Sequence, residues 1–249
     1  MSGFTCYGVA SMSRELRFFV ILAAAFVAAV LRLDGPGMAT QVSLGVATAG
    51  FVVIVCRRLE VAPLAVISCI LVATTGEVIL SVLWGLYSYP HEVIPLYVPP
   101  GHALFYALAV VTARQPLLQR HEAAIVRAVL VVIVAIALAT LYLHHDTWGL
   151  LWSVIAIALI TKSRNPLMLC ACVAFTVMLE WAGTWNGNWH WAAEVPYVGL
   201  TAANPPSGVG LLYILLDLSV AAIAQLTTRA QHLWPQTTVP DAGGLPRPD

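Results

Sequence analysis

The chain has 249 residues, of which 60% are hydrophobic and 10% are charged, and its formal net charge is +0. A soluble domain carries about 25% charged residues, so this composition excludes a soluble protein with an ordinary polar surface. A nucleic-acid partner needs a basic face, and the balanced charge argues against one. We therefore predict an all-α integral membrane protein whose single transmembrane domain covers residues 1–234.

Eight apolar runs are candidate membrane crossings, since a helical crossing takes about 20 mostly apolar residues. They cover residues 17–33, 38–56, 61–84, 98–113, 123–143, 147–162, 167–185 and 209–228. We predict a polytopic bundle of eight transmembrane helices. The first run could instead be a signal peptide, but Arg32 follows it without a small-x-small cleavage site. Residues 235–249 are rich in proline and polar residues and are predicted to form a disordered cytoplasmic tail.

The basic residues fall almost entirely on one side of this arrangement. With the N-terminus inside, Arg32 is the one member of the 12 lysines and arginines that lies outside. The inner residues are Arg14, Arg17, Arg57, Arg58, Arg114, Arg120, Arg127, Lys162, Arg164, Arg229 and Arg247. Basic residues near span ends stay on the cytoplasmic side. Both termini are therefore predicted to be cytoplasmic, in a cell inner membrane, and the number of spans to be even.

Two stretches of the sequence resemble each other, GEVILSVLWGLYSYPHEVIPLYVPPGHALFY (76–106) and LEWAGTWNGNWHWAAEVPYVGLTAANPPSGVGLLY (179–213). The matched positions are Glu77 with Glu180, Tyr87 with Trp189, and Tyr89 with Trp191. Each stretch passes from an inner-to-outer helix through an outer loop into a returning helix. This pattern predicts a parallel repeat of two four-helix halves, residues 1–114 and 115–230, with a pseudo-twofold axis along the membrane normal. Coincidence among common membrane residues is the alternative.

Three acids lie inside predicted spans, namely Glu77, Glu180 and Asp217, and we predict them as catalytic residues. A carboxylate near mid-membrane costs about 2.5–3.5 kcal/mol on insertion scales, so such a group faces the bundle interior and is a functional candidate. Removal from water favours the neutral acid, and we expect at least one to hold a proton at neutral pH. The alternative is that these acids only hydrogen-bond the two halves together.

The third predicted span carries a polar stripe. Its members recur at three- and four-residue spacing, which predicts one common helix face. They are Thr74, Glu77, Ser81 and Trp84. We therefore favour Glu77 as the proton donor of the site.

Aromatic residues cluster on the outer side of the predicted bundle. Such rings gather at membrane interfaces without a further function. The two-residue spacing of Tyr87 with Tyr89, and of Trp189 with Trp191, also suits an extended segment that points both rings one way, where they could line a cavity and stabilise a cation. The predicted substrate-binding residues are Trp84, Tyr87, Tyr89, His102, Trp189, Trp191, Asn204 and Tyr213.

Outer histidines make a metal site an alternative, because imidazole and carboxylate groups are ordinary ligands of zinc and iron. These histidines are His91, His102, His144, His145 and His190. The sequence has no HxxxH or HExxH pair, and His144-His145 beside Asp146 is typical of a solvated loop. Neither a metal nor another cofactor is predicted.

The two stretches resemble the signatures of the bacterial and archaeal carotenoid hydratases, of the γ-carotene and bisanhydrobacterioruberin type. The first signature, an intramembrane glutamate with Gly-x-Tyr-x-Tyr and Val-Pro-Leu segments, is matched by Glu77, Gly85, Tyr87, Tyr89 and Ile94-Pro95-Leu96. The second, an acid with Trp-x-Trp, Gly-Val-Pro and an asparagine, is similar to Glu180, Trp189, Trp191, Gly199 and Asn204. The chain departs from the family at Pro100-Gly101-His102, where the family has a tryptophan, and at Glu180-Trp181, where it has Asp-Pro.

The resemblance implies an enzyme of carotenoid biosynthesis that adds water across a terminal double bond of a polyene. A neutral carboxylic acid would protonate the alkene, and water would capture the tertiary carbocation. Glu77 or Glu180 would be the acid, and the other acid or Asp217 would orient water. The implied partner is a membrane lipid or isoprenoid substrate that enters sideways from the bilayer.

Two other classes of function compete with an enzyme. Parallel repeats and midplane acids also occur in secondary carriers, so the chain could be a proton-coupled transporter of small molecules or lipids. Apart from Pro63 near an end, no predicted span carries the Gly/Pro interruption of a broken transporter helix. A non-catalytic membrane scaffold is the other alternative, and the oligomeric state is left open.

Overall fold

The computed structural model describes the backbone of residues 13–233 and the side chains of residues 13–227. Its helices are α1 (Arg14–Leu33), α2 (Met38–Arg58), α3 (Pro63–Glu77), α4 (Val98–Ala113), α5 (Pro116–Arg120), α6 (Glu122–His144), α7 (Thr147–Lys162), α8 (Pro166–Asn186) and α9 (Leu211–Leu233). Strands β1 (Tyr87–Ser88) and β2 (His190–Trp191) form one short antiparallel ribbon. The predicted all-α class is confirmed. The tail at 235–249 lies outside the described residues.

Within residues 13–233, five helices are long and apolar enough to cross a membrane, which is compatible with a multi-pass membrane protein. They are α1, α2, α6, α8 and α3 with its continuation, Pro63–Leu83. The other three are apolar but shorter, namely α4, α7 and Leu211–Thr227 of α9. Each of the eight predicted apolar runs coincides with one of these helices to within a few residues. That all eight cross a membrane stays a prediction.

Local sequence explains where several helices begin and end. α3, α4 and α8 each carry proline in the first turn, where the missing N–H is not needed. Asp146 caps α7 by accepting a hydrogen bond from the backbone N–H of Gly149. α8 ends at Gly187, whose φ of 76° is in the left-handed region that glycine adopts without strain.

The third helix changes its geometry halfway along. α3 runs without a break into a π-helical segment, Val78–Leu83. A π-helical turn holds more residues than an α-helical turn, so the three- and four-residue spacing no longer keeps side chains on one face. Of the predicted polar stripe, Glu77 lines an internal cavity, whereas Thr74, Ser81 and Trp84 do not. The hydroxyl of Thr74 donates to the carbonyl of Ile70 in its own helix.

The core is built around α4, which packs against α2, α3 and α8. α3 packs against α9, and α8 packs against both α4 and α9. α6 buries only Ile133 and Ala137 and turns apolar side chains such as Val131 outward. An apolar outer surface of this kind suits contact with lipid.

Candidate functional site

A cavity of about 310 Å³ lies between α1, α3, α4, α8 and α9. The aromatic residues Tyr87 and Trp191 of the ribbon line it as well, and both are buried. Most of the lining is apolar. The two acids Glu77 and Glu180 both lie in its wall, as the sequence predicts for a site at the bundle interior.

Glu77 stands at the junction of α3 and the π-helical segment and is buried. Its Oε2 accepts a hydrogen bond from the hydroxyl of Tyr89 at 2.7 Å, and its Oε1 is 2.9 Å from Nε2 of His102. Nδ1 of His102 is in turn 2.7 Å from the hydroxyl of Tyr213. The result is a continuous hydrogen-bonded chain from α9 through α4 to α3 and the outer loop.

Glu180, on α8, is held differently. Its Oε2 accepts two hydrogen bonds from indole N–H groups, of Trp189 at 2.8 Å and of Trp191 at 3.0 Å. Both of these hydrogen bonds involve Oε2, no hydrogen bond to Oε1 occurs among the described residues, and Glu180 lines the cavity. Gly183, one turn along α8, leaves room for the ring of Trp189, because a β-carbon there would overlap the indole.

Aromatic rings surround the two acids. The ring of Tyr87 lies 4.7 Å from that of Trp191 and 6.0 Å from that of Tyr89, while Tyr89 lies 6.4 Å from Trp189. Burial, followed by the nearby charge of Glu77, raises the pKa of Tyr89 well above its usual range. Its hydroxyl therefore remains a hydrogen-bond donor to Glu77 at any ordinary pH.

The structure brings eight of the predicted site residues together in the cavity wall. They are Glu77, Glu180, Tyr87, Tyr89, His102, Trp189, Trp191 and Tyr213. The other three predicted site residues, Trp84, Asn204 and Asp217, do not line the cavity. Trp84 donates from Nε1 to the carbonyl of Pro196 at 2.9 Å, and Asp217 has no hydrogen bond within the described part of the chain. The side-chain oxygen of Asn204 accepts a hydrogen bond from the backbone N–H of Trp191 at 3.0 Å. Asn204 therefore positions Trp191 without lining the cavity itself.

Two aspartates that hold the outer loops were missed by the sequence reasoning. Asp146 is fully buried and accepts from the backbone N–H groups of Gly149, Ala203 and Ser207 at 2.9, 3.0 and 2.8 Å. The interpretation of this segment as a solvated loop is therefore wrong for Asp146, although His144 and His145 are exposed. Asp146 stands just before α7, and this position could have indicated its role, since aspartate is a preferred N-cap.

Asp34 has a similar role after α1. It accepts hydrogen bonds from Gln41 at 2.7 Å, from the hydroxyl of Tyr97 at 2.8 Å and from Asn188 at 3.1 Å. Burial, followed by the hydrogen bond to Asp34, raises the pKa of Tyr97 above its usual range. These contacts join the α1–α2 turn to both outer loops, and nothing in the local sequence indicates them.

The geometry of the histidines bears on the metal alternative. His91, His144, His145 and His190 do not line the cavity. Within residues 13–227, no three or more His, Cys, Asp or Glu side chains lie close enough to hold one metal ion.

Comparison of the chain with protein-family models, with curated proteins and with solved structures finds no match. The chemistry of the cavity is therefore the basis on which a function can be assigned.

Proposed function

We propose that the protein is a multi-pass membrane enzyme that adds water across a terminal double bond of an isoprenoid polyene, as the resemblance to the carotenoid hydratases implies. The observation that carries this proposal is the presence of two carboxyl groups in one mainly apolar cavity, each fixed by aromatic hydrogen-bond donors. An apolar cavity suits a hydrocarbon, and protonation of an alkene needs a positioned acid.

Glu180 is the better placed acid, although the sequence favours Glu77. An indole N–H can only donate a hydrogen bond, so the Glu180 oxygen that accepts from Trp189 and Trp191 cannot point a proton at them. The proton of neutral Glu180 then belongs on Oε1, the oxygen to which no hydrogen bond occurs among the described residues. Removal of the group from water favours this neutral form. We assign to Glu180 the protonation of the substrate carbon.

Glu77 with His102 suits the opposite task, the activation of water. A carboxylate has about four acceptor sites, and Tyr89 and His102 use two of those on Glu77. A water molecule can therefore still donate to Glu77. His102 links this carboxylate to Tyr213 and offers a second group that can hold the proton that water loses.

The proposed reaction balances with these groups alone. The π electrons of the alkene take the proton of Glu180, and the tertiary carbocation is stabilised by the ring faces of Tyr87 and Trp191. The water oxygen forms the new carbon–oxygen bond, and its proton passes to the Glu77–His102 pair. A proton then returns from this pair to the Glu180 carboxylate, so the net change is the addition of one water molecule.

We also propose the eight crossings, the cytoplasmic termini and the two repeated halves. The pairing of the ribbon supports the repeat. Tyr87 pairs with Trp191, and Ser88 pairs with His190. A shift of 102 positions relates Tyr87 to Trp189 and Tyr89 to Trp191, and the same register places Tyr89 opposite Trp189. The same shift relates Gly85, with φ of 74°, to Gly187, with φ of 76°. The reciprocal packing of α3 with α9 and of α4 with α8 agrees with a twofold relation.

The function is tested by incubating the purified full-length protein, in liposomes, with an acyclic carotene in oxygen-18 water. We expect an alcohol that is heavier than the carotene by one water molecule and carries the label, and we expect the Glu180→Gln variant to form it about 10²–10⁴-fold more slowly. A carotene that stays bound but unconverted would overturn the enzyme proposal. Solute uptake driven by a proton gradient, without any product, would indicate a carrier instead.

A further inference from the structure

The residues that line the cavity are buried or half-buried with two exceptions. Ile79 is 48% exposed and Leu215 is 45% exposed. Ile79 belongs to the π-helical segment that continues α3, and Leu215 belongs to α9, which packs against α3. The lining of the cavity therefore reaches the protein surface at these two residues.

The surface around this opening is apolar. The exposed side chains on the same two elements include Val78, Val82, Leu83 and Leu218. Both elements belong to apolar helices of the bundle. An opening bordered in this way faces the hydrocarbon of a bilayer, since charged and polar side chains would mark a route to water.

The size of the cavity limits what it can enclose. A volume of about 310 Å³ is at the low end of the range of roughly 300–1,000 Å³ that takes a drug-sized ligand. A long polyene is larger than that, so only one end of it fits beside the two acids. The remainder must extend through the opening.

We propose that the substrate of the proposed function enters end-first from the lipid, past Ile79 and Leu215. One terminus reaches Glu77 and Glu180, and the rest of the chain stays in the membrane. The identity of the reaction rests on the proposed function, but the route concerns binding alone and is tested separately. This arrangement explains why a small cavity would act on a terminal double bond and leave internal ones untouched.

The test narrows the opening with the double substitution Ile79→Trp and Leu215→Trp. The matched control is the double substitution Val131→Trp and Leu138→Trp on α6, because these apolar residues are also exposed but lie away from the opening and do not line the cavity. The measurement is the amount of an acyclic carotene that co-elutes with each detergent-purified full-length protein, by absorbance. Thermal unfolding checks that every variant folds.

We expect the first double variant to retain at least about tenfold less carotene than the wild type, because the two indoles would fill the space through which the chain passes and a misfit of one methylene group in an apolar pocket already changes binding by about 10–200-fold. The control should retain as much as the wild type. Equal retention by both double variants would overturn the route. If the wild type retained a two-isoprene alkene but not the carotene, the inference that a long chain extends from the cavity into the membrane would be wrong. Retention of the carotene without product would refute the reaction and leave the route standing.

Discussion

Replacing Glu180 with glutamine removes the proposed acid and keeps the shape of the side chain. The amide oxygen can still accept from Trp189 and Trp191, which directs the amide NH₂ toward the cavity. An amide cannot protonate an alkene, so activity should fall by about 10²–10⁴-fold, the usual contribution of a positioned general acid. The free energy of unfolding should change by less than about 1 kcal/mol, because both indole donors stay paired.

Glu180→Leu is the matched comparison for stability. It leaves two indole N–H groups without an acceptor, and at about 1–3 kcal/mol for each the free energy of unfolding should fall by about 2–6 kcal/mol. The assay is the rate of alcohol formation from an acyclic carotene in liposomes, with thermal unfolding of each variant in detergent. Activity of Glu180→Gln within about twofold of the wild type would refute the assignment of Glu180 as the acid.

Four further predictions concern other residues. Glu77→Gln should also lower activity by about 10²–10⁴-fold in the same assay, because it weakens the group proposed to take the proton from water. Asp217→Asn should change activity by less than about threefold, since Asp217 does not line the cavity, and a larger loss would show that the site extends along α9. Asp146→Ala should lower the free energy of unfolding by about 3 kcal/mol or more, measured by thermal unfolding, because three backbone N–H groups lose their acceptor. A cysteine at Ser88 should react with an impermeant maleimide in intact cells and one at Arg164 only after permeabilisation, and the reverse pattern would contradict the predicted orientation.

The helices could be predicted from the sequence because a chain this apolar has few other ways to satisfy its backbone in lipid. Each apolar run becomes a helix, and prolines such as Pro63 and Pro166 mark the starts. Glu77 and Glu180 could be assigned to the bundle interior for the same reason, since a carboxyl group is costly in hydrocarbon. These inferences need only local composition and the energetics of burial.

What the sequence could not predict depends on contacts between distant residues. The π-helical segment after Glu77 has no signal in the residue spacing, and Ser81 within it is not in the cavity wall. Asp217 is one helical turn from Tyr213, yet only Tyr213 lines the cavity. The role of Asp146 requires the loop around residues 203–207 to return to the start of α7. Periodicity shows that a residue faces inward but does not show which partner it meets.

The hydrogen-bonded chain through Glu77 also has a consequence for the proton permeability of a bilayer that contains the protein. It runs from Tyr89 through His102 to Tyr213, and within residues 13–227 no hydrogen bond carries it on to Asp217. These side-chain hydrogen bonds alone give a proton in the site no route toward the C-terminal end of α9. In the proposed reaction the two acids would exchange protons within the site, so we expect liposomes that contain the protein to hold an imposed pH difference as long as empty ones do.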